Sequence, residues 1–320
     1  MQTRPLGNTG IQVPTVALGC WPISGMSSLD VNELDSLATL DAAIDVGMSF
    51  FDTAYCYGAD GESERLIARA IRGRRDHVVL ATKGGLHWHE GKMVHDARPE
   101  TLRRQCEESL SRLGTDRVDL LYLHAPDDNV PIADSAGELK RLLDEGKTRA
   151  VGVSNVSLEK IATFADACPI AAFQPPYNML MREIETDTLP WCRDRDIAVM
   201  PYWPLMKGLL AGHLGRDFVL RPGDGRAKYP MFHGDEWSRN MDLVDDLRAI
   251  ADEAGQTVAA LVIAWTLAQP GITAVLCGAK RTAQVHENAA GGEWQLDDRQ
   301  LAAVERVLRL RGTPVTRPAV

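Results

Sequence analysis

Short apolar runs rich in β-formers alternate with longer stretches of helical periodicity along the whole 320-residue chain, and no other feature narrows the choice of fold as far. The strand-like runs are Thr15–Leu18, Met48–Phe51, His77–Thr82, Val118–His124, Arg149–Ser154, Ile170–Gln174, Ile197–Tyr202 and Ile272–Cys277. Helical periodicity fills the gaps, for example at Val31–Val46, Glu62–Arg72, Pro99–Leu113, Ile132–Glu145, Leu158–Ala167, Asp242–Ala254 and Val258–Ala268. Gly47, Gly114 and Gly146 stand where a left-handed residue ends a helix, and Pro99 stands where one begins. Eight strands in unbroken βα alternation, with no Pro/Ser linker between them, fit a closed (β/α)₈ barrel of the TIM type better than an open doubly wound sheet. The open-sheet alternative is weakened further because no G-x-G-x-x-G occurs, and Gly146-Lys147-Thr148 is no P-loop because Arg141 stands where the first glycine belongs.

Within residues 1–14, two extended stretches flank Gly7-Asn8-Thr9-Gly10 and predict a β-hairpin that plugs one end of the barrel. Residues 203–240 predict an extended loop after the seventh strand. Its portion from Gly212 to Asn240, rich in Gly, Pro and charge, has the length of a lid or clamp. The expected organisation is a single domain over residues 1–320.

A composition of 45% hydrophobic and 25% charged residues suits a globular chain with a large core. The richest apolar run, Ala259–Ala268, is about half the ~18 to 20 residues needed to span a bilayer. The first residues show no secretory pattern, so a cytoplasmic address is expected. Six dispersed cysteines form no C-x-x-C pair, which argues against a zinc ribbon or a redox motif. A formal charge of −9 without a basic run argues against nucleic acid as partner. The oligomeric state is not legible.

In such a barrel the working residues lie at the C-terminal ends of strands and in the loops beyond. Asp52, Lys83 and His124 each follow an apolar run, and Tyr57 lies in the loop after Asp52. Together they suit proton transfer to a carbonyl oxygen. A phenol with pKa about 10 is too weak an acid on its own, but a nearby ammonium stabilises the phenolate, and a carboxylate keeps that ammonium charged and oriented. These residues carry no hydride, so a reduction also needs a cofactor.

Phe51-Asp52-Thr53-Ala54 with Tyr57-Gly58, then Ala81-Thr82-Lys83, then Arg117–His124, resemble the segments of the aldo-keto reductase family that carry its catalytic Asp, Tyr, Lys and His. The resemblance covers nearly the whole chain. It implies that Tyr57 is the general acid, that Lys83 and Asp52 tune it, and that His124 orients the carbonyl. It further implies an NADPH/NADP+ cofactor. Ser154, Asn155 and Gln174 would hydrogen-bond the nicotinamide carboxamide, and Tyr177 would stack on the ring. Pro204, Leu205, Lys207, Gly208 and Leu210 fall in the segment similar to the family's pyrophosphate loop. Gly278, Lys280, Arg281, Gln284, Glu287 and Asn288 resemble the adenosine end, where a helix start beside two cations also makes a phosphate site on general grounds. Trp203 replaces the serine common before Pro-Leu, and the adenosine segment resembles bacterial branches.

Trp21, Tyr55, Trp88 and Trp203 all fall just past strands and are expected to line an apolar substrate pocket. His87-Trp88-His89, with His95 nearby, is expected to be part of a substrate-facing loop, and no metal is expected. Cys56 reads as a small packing residue. The expected activity is NADPH-dependent reduction of an aldehyde or ketone. Alternatives are oxidation of a sugar hydroxyl at the same site, or a regulatory subunit that binds NADP(H) as a sensor.

Overall fold

The computed structural model describes residues 1–26 and 30–317. The chain opens with an antiparallel hairpin of β1 (Thr3–Pro5) and β2 (Gln12–Pro14). Then come β3 (Val16–Gly19), α1 (Glu33–Asp45), β4 (Phe50–Asp52), α2 (Glu62–Ala70) and β5 (Val79–Gly84). A second hairpin, β6 (Leu86–His89) with β7 (Lys92–His95), precedes α3 (Pro99–Leu113), β8 (Leu120–Leu123), α4 (Ile132–Asp144), β9 (Val151–Ser154) and α5 (Leu158–Ala167). The remainder is β10 (Ala172–Gln174), α6 (Thr188–Arg193), β11 (Ala198–Val199), α7 (Gly234–Glu253), α8 (Val258–Ala268), β12 (Val275–Gly278), α9 (Thr282–Glu293) and α10 (Asp298–Arg311).

Eight parallel strands run in the order β11-β10-β9-β8-β5-β4-β3-β12. The two ends meet: parallel bridges join Val199 to Ile272 and Tyr202 to Leu276, with Thr273 N donating to Val199 O at 2.8 Å and Leu276 N to Pro201 O at 3.0 Å. Closure leaves no free edge.

The pleat sorts each strand into two rows. Ala17, Phe50, Ala81, Leu120, Tyr122, Ala172, Ala198 and Leu276 share the barrel interior, whereas Leu18, Phe51, Leu80, Leu121, Val153, Phe173 and Val199 join the larger core between sheet and helices. Many interior positions are alanine because Phe50 and Tyr122 occupy much of a narrow bore. Gly152 illustrates the limit, since a Cβ there would stand 2.5 Å from the Tyr122 ring.

Leu6, Ile11 and Val13 of the first hairpin are buried in that same interior cluster, so the hairpin seals one end, and Arg4 ties it down by donating to the Ile272 carbonyl at 2.6 Å. The second hairpin stands where a plain loop is expected from sequence. Its turn residues Glu90 and Gly91 have φ of 50° and 75°, the two positive values that a tight hairpin turn requires. The loop from Gly212 is also shorter than its composition suggests. Helix α7 begins at Gly234 rather than near Asp242, with Asp235 and Glu236 in its first turn, where acidic residues favour the helix dipole. Helix α8 is buried at nearly every position, and no helix among the described residues is long and apolar enough to cross a membrane.

Candidate active site

The interior rows end in polar residues. Continuing each row two residues at a time leads from Phe50 to Asp52, from Ala81 to Lys83, from Tyr122 to His124 and from Ala172 to Gln174. Strand pleating therefore aims all four at the C-terminal mouth. Lys83 is 1% exposed and Asp52 2%, and each charge answers the other: Lys83 Nζ donates to Asp52 Oδ1 at 2.5 Å, to the Thr53 carbonyl at 2.8 Å and to the Tyr57 hydroxyl at 3.4 Å. All three ammonium hydrogens are thereby used. Gln174 Nε2 donates to the second carboxylate oxygen, Oδ2, at 2.8 Å.

Tyr57 is half-buried, its ring edge-on to Trp21 at 5.0 Å and to His124 at 5.8 Å. Its loop is pinned from outside by Trp88 Nε1, which donates to the Cys56 carbonyl at 2.9 Å, and by Arg112 Nη1, which donates to the Tyr55 carbonyl at 3.2 Å. Burial first, and the Asp52 carboxylate second, push the Tyr57 phenol well above its ordinary range. The upward shift is the net of these causes, with the Lys83 ammonium 4.9 Å from the ring centre. The phenol is thus held protonated at neutral pH. His124 is shifted the other way, far below its ordinary value, by burial and then by Lys83 and His95, so its ring is neutral. Cys56 Sγ lies 3.6 Å from His124 Nδ1, and burial pushes that thiol up to about 12. If the protonated thiol is the donor to Nδ1, the ring proton stands on Nε2.

Beyond the tetrad, Ser154 Oγ donates to the Gln174 carbonyl at 2.8 Å, and Asn155 Nδ2 to the His124 carbonyl at 2.9 Å. Asn155 has φ of 57°, and its Oδ1 accepts from the Tyr202 hydroxyl at 2.7 Å. Tyr177 is a correction: its ring is fully buried, stacked on Trp265 at 6.1 Å with the hydroxyl donating to Glu185 at 2.6 Å, so it presents no face to the mouth. The aromatic that reaches the mouth is Tyr202, which the sequence reading missed. It continues the interior row Ala198, Met200, and that period of two was the available signal.

In the following loop Trp203, Met206, Lys207 and Gly208 all have positive φ, between 43° and 90°, which turns successive backbone groups onto one side. Pro204, Leu205 and Leu210 complete the segment. The Lys207 ammonium sits 4.0 Å from the Trp203 ring centre and 4.8 Å from that of Tyr229, and burial with nearby Lys228 and Arg226 brings its pKa down to about 8.

At the far end Gly278 closes β12, and Gln284 Oε1 accepts from the Lys280 backbone at 2.9 Å. Arg281 donates to Asp35 at 2.6 Å, and Glu287 accepts from His213 at 2.8 Å through one oxygen. The other Glu287 oxygen and the Asn288 amide nitrogen are buried without a partner. An unpaired acceptor beside an unpaired donor matches the amino and N7 edge of adenine.

The family model for the aldo/keto reductase family matches residues 15–309. The chain belongs to the aldo/keto reductase family. It is 35% identical to the aldo-keto reductase YhdN of Bacillus subtilis, over 96% of this chain and 94% of that one. It is 32% identical to an NADH-specific methylglyoxal reductase of Escherichia coli, over 93% and 95%. Among solved structures, the glycerol dehydrogenase of Gluconobacter oxydans superposes with a TM-score of 0.91 at 34% identity, covering 99% of this chain and 98% of that one.

The aromatic residues expected around the mouth divide. Trp21 and Trp88 contact Tyr57 or its loop, as above. Trp203 lies edge-on to Tyr202 at 5.2 Å and to Tyr229 at 5.6 Å, under the Lys207 ammonium. Tyr55 is a second correction: its hydroxyl donates to Glu108 of α3 at 2.6 Å, and Arg112 lies 4.4 Å over its ring. It holds the Tyr57 loop from the helix side rather than lining a pocket. A groove of about 790 Å³ opens beside Asn155, lined also by His95, Asn129, Pro176, Thr316 and Arg317. It mixes acidic, cationic, amide and apolar surface, with Asp127, Asp128 and Glu183 also in its lining, and neither the tetrad nor the tryptophans line it.

Proposed function

We propose that this chain reduces an aldehyde or ketone to the alcohol with NADPH, and that Tyr57 protonates the oxygen. The observation that carries the reading is the buried Asp52–Lys83 pair, with its ammonium donating to the Tyr57 hydroxyl oxygen. Because the oxygen accepts from Lys83, the phenolic hydrogen is free to point at a substrate, and the phenolate left after proton transfer keeps a cation beside it. Neutral His124, with its proton on Nε2, donates to the same carbonyl oxygen and orients it. A bound nicotinamide supplies the hydride. Ser154, Asn155 and Gln174 would hold its carboxamide, with Tyr202 rather than Tyr177 as the nearby aromatic. The turned backbone at 203–210 and Lys207 would hold the pyrophosphate, Glu287 and Asn288 the adenine, and Lys280 and Arg281 a 2′-phosphate. The partnerless Glu287 oxygen and Asn288 nitrogen support the fit.

The oxidation direction, with a polyol or sugar hydroxyl as substrate, is the second reading. The likeness to the glycerol dehydrogenase favours it. A turnover screen over aromatic aldehydes, dicarbonyls, aldoses and polyols, in both directions and with both cofactors, tests the proposal. Tight cofactor binding with no turnover on any of them would instead support the sensor role.

A further inference from the structure

This inference rests on the adenosine-end reading just given and concerns how strongly that end favours a 2′-phosphate. Arg281 does not stand open to a ligand. Its Nη1 donates to Asp35 Oδ2 at 2.6 Å and its Nη2 approaches the Asp30 carbonyl at 3.5 Å. The Asp35 carboxylate is set by its own helix, because Asn32, the N-cap of α1, donates to Oδ2 at 3.0 Å and accepts from the Asp35 backbone at 2.9 Å. A short side chain fixed by a cap keeps its place at little entropic cost, unlike a pair of long surface chains. Asp30 adds a second negative charge. Its carboxylate is bound by Arg221 at 2.8 Å, and its pKa is lowered by Arg221 and, more weakly, by Lys280 and Arg281.

We propose that Asp35 is a specificity-determining residue for the cofactor, one that engages Arg281 and narrows the preference for NADPH over NADH. A 2′-phosphate is an anion that needs the guanidinium fork, so it must share or displace Asp35 while lying within reach of that carboxylate's charge. A ribose 2′-hydroxyl is neutral and donates a hydrogen bond that a carboxylate accepts. One carboxylate therefore subtracts from NADPH binding and adds to NADH binding. Arg281 and Asp35 are both about half exposed, so the effect is several-fold and is screened by salt.

The test is the dissociation constant of each cofactor, read from tryptophan fluorescence quenching on the full chain. It is run for wild type, Asp35→Asn, Arg281→Gln, the Asp35→Asn/Arg281→Gln double variant and Lys280→Ala. Asparagine keeps the side-chain size and the backbone bond to Asn32; Asp35→Ser is a second variant in case the first does not fold. Asp35→Asn is expected to tighten NADPH about three- to tenfold without tightening NADH, to lose most of that gain in high salt, and to have little effect when Arg281 is already glutamine. If Asp35→Asn leaves the NADPH to NADH ratio unchanged, or weakens both cofactors alike, while Arg281→Gln still weakens NADPH, the role of Asp35 is overturned and the site reading stands. If Arg281→Gln and Lys280→Ala both leave NADPH affinity unchanged, the reading of the adenosine end itself falls.

Discussion

Asp52 and Gln174, 122 residues apart, meet at 2.8 Å through Oδ2 and Nε2, while the other carboxylate oxygen holds Lys83. One buried carboxylate thus joins the residue proposed to hold the nicotinamide amide to the residue beside the proton donor. Neither oxygen is free to turn, so the charge on Lys83 and the orientation of Gln174 are set together. Removing one member of this pair leaves the other buried and unpaired, which typically costs about 3–5 kcal/mol. Asp52→Ala and Lys83→Met are each expected to lose stability of that order in urea titration. The double variant should lose less than the sum of the two. Strict additivity would mean that the two side chains do not depend on each other.

Tyr57→Phe removes only the hydroxyl and keeps the ring contacts with Trp21 and His124. Cofactor affinity and thermal midpoint should therefore stay near wild type while turnover falls by about 10² to 10⁴, the usual contribution of general acid catalysis. Tyr55 cannot take over, because its hydroxyl is already committed to Glu108. Near-normal turnover in Tyr57→Phe on a good substrate would show that the proton comes from elsewhere.

Two effects follow from the neutral His124. Its folded pKa lies far below the ordinary 6.5, so below about pH 6.5 the unfolded chain takes up a proton that the folded chain refuses. Stability should then decline as pH falls from 6.5, and His124→Gln should flatten that decline. Cys56 is expected to hold the tautomer. In Cys56→Ala the thiol donor to Nδ1 is gone, so nitrogen chemical shifts of the His124 ring should report a mixture of tautomers, with turnover reduced several-fold and folding intact. An unchanged ring spectrum would make Cys56 the packing residue that its size suggests.

The barrel was legible because eight apolar runs are flanked by helical periodicity, and Asp52, Lys83 and His124 were legible because each ends such a run. What escaped depended on contacts across the fold. Tyr55 and Tyr57 are two residues apart in one loop, and nothing local tells which hydroxyl meets Lys83 and which meets Glu108 on α3. Tyr177 follows two prolines beyond β10, where Asn178 and Met181 bridge in a turn and the ring goes under Trp265 on a helix far along the chain. Tyr202 was within reach of the pleat rule. The Arg281–Asp35 contact joins residues 246 positions apart, so a sequence shows two cations there and not the carboxylate that faces one of them.

Lys207 offers a pH-dependent handle on cofactor binding that separates it from Arg281. Its ammonium is held against Trp203 and Tyr229 in a partly desolvated position, with a pKa near 8. Below that pH it is charged and attracts a pyrophosphate; above it the amine is neutral and the attraction is lost. Because NADH and NADPH share the pyrophosphate, both dissociation constants should rise as pH passes through about 8, by a similar factor and less steeply in high salt. Lys207→Met keeps a long side chain against the two rings without the charge. It should weaken both cofactors severalfold at pH 7 and flatten the pH profile, while leaving the NADPH to NADH ratio where it was. A ratio that shifts strongly in Lys207→Met would move this lysine from the pyrophosphate to the 2′-phosphate, and an unaltered profile would remove it from the cofactor site.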